Sequence, residues 1–346
     1  MKGNKYGTHR VIEPKGVLPQ PAIRIDNNMD TIYDNEILCD VITLNVDSAS
    51  FTQIKDQAGN DTKKVEEIML DIVSKFGKHK NPVTGSGGMF IGRVAKIGKD
   101  LEGRIPLKVG DKIASLVSLS LTPLKINKIK KIHMDKEQVD VDAQAILFES
   151  AIYAKLPDDL DEKLALAVLD VAGAPAQTAK LVRPGNKVLV IGASGKSGLL
   201  CCYVAKKYAG CTGKVIALLH SDRRKKLVEE SGFVDDIIIA DASDAISVLE
   251  KVEKATNNEL CDVVINCVSR ENTEMGSILP CKDDGTVYFF SMATSFTKAA
   301  LGAEGVGKDV NMIIGNGYTK NHAEITLNLM RESKWLKDVY QKRYVG

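Results

Sequence analysis

No Cys-x-x-Cys pair occurs among the seven cysteines, which stand at 39, 201, 202, 211, 261, 267 and 281. Their number is odd, and Cys39 and Cys267 fall within apolar runs. That pattern reads as reduced, buried thiols rather than as disulfides or structural zinc. No run of 18 consecutive apolar residues is present, so no helical membrane span is expected. The opening MKGNKYGTHR is polar and basic, without the apolar centre of a secretory leader, and the expectation is a cytoplasmic protein. Charge of one sign is lacking too. The 47 Lys and Arg face 45 Asp and Glu, a net +2, which gives no reason to expect a nucleic-acid or membrane partner.

What is there is enough for two ordinary domains: 346 residues, 44% hydrophobic and 27% charged. Up to about residue 155, short extended runs alternate with glycine: Glu36 to Leu44, Ile91 to Ile97, Asp111 to Val117. This predicts an irregular β-rich domain over 1–155. One helix interrupts it, because Val65, Ile68, Met69, Ile72, Val73 and Phe76 repeat at helical spacing. The basic stretch from Lys125 to Lys136 reads as a solvated edge.

The character then changes. Six short apolar runs begin at Lys187, Val215, Ile237, Asp262, Thr286 and Asn311, with helical patterns between most of them. Continuous rather than alternating runs mark strands buried on both faces. The expected fold class is therefore α/β, a doubly wound parallel sheet over 156–317 added to the β-rich domain. Asp159 and Glu162 are expected to cap the connecting helix. Residues 318–346 are free, on this reading, to return and complete the first domain.

Directly after the first of the six runs comes Gly192-Ala193-Ser194-Gly195-Lys196-Ser197-Gly198, and then an apolar helix. Glycines there let backbone N–H groups approach a pyrophosphate at the positive end of a helix. The loop therefore predicts a dinucleotide site. An acid at the tip of the second strand would accept from a ribose 2′-OH. This tip instead reads His220-Ser221-Asp222-Arg223-Arg224. Ser221 can donate to a 2′-phosphate, and Arg223 or Arg224 can neutralise it. NAD and NADP are both expected to be usable. Ser291, after the fifth run, is expected to help hold the nicotinamide.

With these motifs in place the chain resembles the medium-chain dehydrogenase/reductase superfamily. The resemblance rests on Gly85-Ser-Gly-Gly88, Gly92 to Gly98, Val109-Gly110-Asp111 and Arg183-Pro184-Gly185. It implies a GroES-like catalytic domain before the Rossmann domain, and a homodimer. Zinc alcohol dehydrogenases of that superfamily hold catalytic zinc with Cys, a Gly-His-Glu and a second Cys. Here those places read Asn45-Val46-Asp47-Ser48, Gly85-Ser86-Gly87 and Asp170-Val171. Zinc calls for imidazole or thiolate at such places, so a zinc-free enzyme is expected.

Longer strings carry a narrower resemblance. IDNNMDTIYDNEIL, LNVDSASFTQI, AILFESAIYAKLP, FFSMATSFTKAALGAEGVG and GNGYTKNHAEITLNLMRE look like the L-erythro-3,5-diaminohexanoate dehydrogenase family. That resemblance implies NAD(P)-dependent oxidative deamination of a diamino acid at C3 in lysine fermentation, with release of ammonia. Amine oxidation needs a general base for the ammonium. Asp47 and Asp170, near the lost zinc-ligand places, are the candidates, and Tyr318 is a candidate for substrate contact. Two alternatives stay open: a zinc-free quinone or enoyl reductase, and a dinucleotide-binding sensor without catalysis.

Overall fold

A computed structural model describes residues 1–291, 293–315 and 317–345, with the side chains of Ser48 and Ala49 left aside. It divides into two compact units, Met1–Asp158 and the chain from Asp159 onward.

In the first unit β1 (Val11–Glu13) and β2 (Arg24–Ile25) form a small ribbon. Then follow β3 (Glu36–Asn45), α1 (Ser48–Gln57), α2 (Thr62–Phe76), β4 (Met89–Ile97), β5 (Lys112–Ser115), β6 (Leu124–His133), β7 (Gln138–Phe148) and β8 (Tyr153–Lys155). The last six strands make an antiparallel sheet in the order β6-β7-β3-β4-β5-β8. The expected apolar stripe is the buried face of α2: Val65, Met69, Ile72 and Val73 join the sheet's core, with Ile68 and Phe76 packed at its margin. Asp61 caps the start of α2 through the Lys63 and Lys64 amides. Gly77 ends it at φ 71°, where an added Cβ would lie 2.1 Å from the Ile25 carbonyl oxygen. Only glycine meets both demands. The basic stretch is β6, an edge strand, and its lysines deter further strand pairing there.

The second unit runs α3 (Glu162–Leu169), α4 (Gly173–Leu181), β9 (Lys187–Ile191), α5 (Lys196–Ala209), β10 (Lys214–Leu219), α6 (Lys225–Ser231), β11 (Asp236–Ile239), α7 (Ala245–Thr256) and β12 (Cys261–Asn266). It continues with α8 (Glu274–Ile278), β13 (Cys281–Phe289), α9 (Phe296–Val306), β14 (Asn311–Ile314), α10 (His322–Glu332) and α11 (Lys334–Tyr340). All six strands are parallel, in the order β11-β10-β9-β12-β13-β14. The continuous apolar runs have their physical reason in β9. Val188 and Val190 enter one core, and Leu189 and Ile191 enter another on the opposite face.

Two expectations need correction. Asp161, not Asp159, caps α3 by accepting from the Lys163 and Leu164 amides; Asp159 instead holds Arg331 at 2.8 Å. Residues 318–346 cluster with the second unit rather than completing the first. There α10 packs on α3 and α4, and the Thr326 hydroxyl donates to the Ala172 carbonyl oxygen at 3.3 Å.

Candidate functional site

The strand order reverses direction between β9 and β12, and in sheets of this kind ligands bind beyond the carboxyl ends of the strands at that point. A cleft of about 250 Å³ lies there. Gly192, Ser194 and Gly195 line it after β9, and Leu218, Leu219 and His220 at the tip of β10. Arg224, Ala240, Asp241, Ala242, Cys267, Val268 and Arg270 complete it. Gly192 stands at φ +81°, and a Cβ on Gly198 would come within 2.2 Å of the Gly192 carbonyl oxygen. The turn thus closes tightly onto the first turn of α5, whose amides have no intrahelical partner. Such a cradle fits the pyrophosphate of a dinucleotide.

The fixed charges around the cleft are two positive to one negative: Arg224 and Arg270 against Asp241. Asp241 pairs with Arg270 at 3.3 Å. The Ser243 hydroxyl and amide hold its carboxyl below the usual carboxylate range. Of the residues singled out at the β10 tip, His220 and Arg224 line the cleft, while Ser221 and Arg223 are exposed outside its lining. Asp241 and Arg270 were not anticipated; an acid directly after the third apolar run was the available signal. Lys196 opens α5 and gives its ammonium to Asp170 Oδ2 at 2.7 Å. Ser197 and Gly198 are buried behind it. Ser291 is buried, its hydroxyl accepting from the Ala293 amide at 3.1 Å; Met292 lies outside the described residues. Tyr318 is 43% exposed, its ring edge-on to His322 at 5.1 Å, and the preceding Asn316 lies outside the described residues.

Asp47 belongs to the first unit and does two jobs. As N-cap of α1 it accepts from the Ser50 amide at 3.0 Å. Its other oxygen accepts from the Ser86 hydroxyl at 2.7 Å. Ser50 Oγ lies 2.5 Å from Thr84 Oγ1 and 2.9 Å from Ser86 Oγ, so three hydroxyls and one carboxylate form a continuous network. His79 is fully buried nearby with neither ring nitrogen hydrogen-bonded. Burial lowers its pKa to about 4, against the opposing pull of the Asp47 charge, so it is neutral at ordinary pH. Asp170 is 53% exposed and committed to Lys196.

These donors do not fit the zinc site of the alcohol dehydrogenases. The places that the resemblance sets against its ligands hold carboxylate and hydroxyl groups engaged with protein partners, in place of thiolate and imidazole. Among the described residues, no group of three or more His, Cys, Asp or Glu is placed to hold a metal ion.

A Rossmann sheet with a glycine cradle at its switch point, preceded by an antiparallel β-rich unit, defines a protein of the medium-chain dehydrogenase/reductase class. Comparison with known proteins narrows this. Residues 9–157 match the model of the L-erythro-3,5-diaminohexanoate dehydrogenase N-terminal domain, and residues 198–320 match that of a zinc-binding dehydrogenase. The L-erythro-3,5-diaminohexanoate dehydrogenase of Acetoanaerobium sticklandii is 64% identical over 345 residues, covering 100% of both chains. That of Fusobacterium nucleatum is 58% identical over 344 residues, covering 99% of both. A mycobacterial protein solved with NADPH shares the fold at a TM-score of 0.55 and 16% identity, over 89% of this chain and 83% of its own. The chain belongs to the L-erythro-3,5-diaminohexanoate dehydrogenase family.

Proposed function

We propose that this chain catalyses oxidative deamination of L-erythro-3,5-diaminohexanoate at C3, giving 5-amino-3-oxohexanoate and ammonia, with NAD or NADP, in the lysine fermentation of the cytoplasm. The observation that carries this reading is the full-length similarity to two dehydrogenases of that name. No helix among the described residues is long and apolar enough to cross a membrane.

The 192–198 loop would hold the pyrophosphate, with Ser291 at the nicotinamide end. His220, Ser221, Arg223, Arg224 and Arg270 surround the adenosine ribose on this reading. Their positive balance supports acceptance of a 2′-phosphate, and Asp241 supports binding without one. A dinucleotide held by the 192–198 loop would supply the hydride acceptor for oxidation of the C3 amine, and water would convert the resulting iminium to ketone and ammonia.

The residues of the chain handle the protons. An alkylammonium has a pKa of roughly 10, so a base must take its proton before the nitrogen lone pair is available. Asp47 is placed first in that role, since the Ser86, Ser50 and Thr84 hydroxyls can pass the proton onward. Asp170 is the second candidate, with its hold on Lys196 as a competing task. Tyr318 would contact substrate. No zinc enters the proposal, because the donor set is wrong for it. Edge strand β14 leaves Met312 and Ile314 exposed, which supports a homodimer built by pairing that edge.

The test incubates the protein with L-erythro-3,5-diaminohexanoate and each dinucleotide. Reduced cofactor and ammonia should appear in equal amounts. Turnover of quinones or enoyl substrates with NADPH, and none with the diamino acid, would overturn the reading.

A further inference from the structure

The end of α11 and the turn after it meet the phosphate loop from 144 and 149 positions away in sequence. Tyr340, fully buried, donates its hydroxyl to the Lys196 carbonyl oxygen. Arg343 Nη1 donates to the Ser194 carbonyl oxygen at 3.3 Å. The Tyr344 ring lies 5.4 Å from the Lys196 ammonium and 5.2 Å from the Arg343 guanidinium, within cation–π range of both. Lys196 is tethered on its other side by Asp170 at 2.7 Å.

A loop that binds phosphate through its N–H groups must hold them in one orientation before the ligand arrives. Any reordering on binding would reduce affinity. Carbonyl oxygens on the same peptides are the handles by which a second segment can fix that orientation. Ser194 and Lys196 are the loop residues so held, one on each side of Gly195. We propose that Tyr340 and Arg343 are positioning residues that lock the 192–198 loop through its carbonyls, so that the C-terminal turn sets dinucleotide affinity without touching the reacting atoms. This rests on the reading of 192–198 as the pyrophosphate cradle.

NADH binding to the full-length protein is measured by isothermal titration calorimetry. Tyr340→Phe and Arg343→Ala should each raise the NADH dissociation constant roughly fivefold, the scale of one lost hydrogen bond. Arg343→Lys, keeping a donor and a cation, should recover most of the loss. KM for NAD should rise in step, while kcat at saturating NAD and KM for the diamino acid stay within twofold. Gly195→Ala, whose Cβ would sit 3.2 Å from the Gly192 carbonyl oxygen, is the control for the loop. If Gly195→Ala weakens NADH but Tyr340→Phe and Arg343→Ala leave it within twofold, the lock is refuted and the cradle stands. If all three bind NADH like the parent, the cradle reading itself is refuted. Equal losses in both KM values and kcat, with a lowered melting temperature, would mean general destabilisation and also overturn the lock.

Discussion

The Ser86 hydroxyl donates to Asp47 Oδ2 at 2.7 Å while Asp47 Oδ1 accepts from the Ser50 amide, so one carboxylate both caps α1 and ends a chain of hydroxyls. Ser86→Ala removes the hydroxyl that donates to this carboxylate. It should lower kcat by roughly tenfold through the broken relay. A kcat identical to the parent's would detach Ser86 from the chemistry.

Asp170 decides between two tasks. Its bond to Lys196 joins two partly exposed groups, which contributes about 0–1 kcal/mol. Asp170→Asn should therefore leave the melting temperature nearly unchanged. With Asp47 as the base, kcat should fall less than threefold and KM for NAD should rise two- to threefold through a looser Lys196. A hundredfold fall in kcat would transfer the role of base to Asp170.

Metal content follows from the donor set. Elemental analysis of the purified protein should find less than about 0.1 zinc per chain, and a chelator should leave activity intact. Stoichiometric zinc lost together with activity would contradict the carboxylate-and-hydroxyl account.

Acid stability has two sources in the first unit. Burial alone would raise the Glu36 carboxyl, but bonds from Arg10, His9 and the Tyr33 amide outweigh it and leave a pKa of about 2. A carboxylate depressed on folding stabilises above its unfolded pKa, so this contribution is lost as pH falls from about 4.5 toward 2. Neutral His79, with its pKa lowered to about 4, adds an earlier loss: the unfolded chain binds the proton first as pH falls below 6.5. Melting temperature should thus decline from pH 6.5 downward. His79→Phe should flatten the upper part of that decline. Glu36→Gln should destabilise at neutral pH by less than a fully broken buried pair, which costs about 3–5 kcal/mol, because Arg10 keeps Asp26 and the Asn28 and Thr31 carbonyl oxygens as partners. An unchanged pH dependence in His79→Phe would contradict the assignment.

Much of this architecture can be read locally. The α2 stripe, the doubly buried runs of β9 and β10, and the strand–loop–helix around Gly192 declare themselves through spacing of a few residues. What escaped reading is long-range. Ser50 lies at capping distance from Asp47, but Thr84 and Ser86 reach the pair from more than thirty positions away, and nothing in their spacing marks them as partners. Tyr340 and Arg343 reach Ser194 and Lys196 across half the chain. The cap of α3 was misplaced by two residues because Asp159 and Asp161 are equally good capping types, and only the pairing of Asp159 with Arg331 separates them.

The most direct test compares kcat/KM for L-erythro-3,5-diaminohexanoate across pH in the parent and in Asp47→Asn. Asparagine caps a helix as well as aspartate does, so the fold should persist. The parent's rate should climb toward alkaline pH as the substrate ammonium, with a pKa of roughly 10, loses its proton. The variant should fall by about a hundredfold or more near neutral pH, with the deficit narrowing as solution hydroxide takes over the deprotonation. A variant within twofold of the parent at every pH would contradict the assignment of Asp47 as the base.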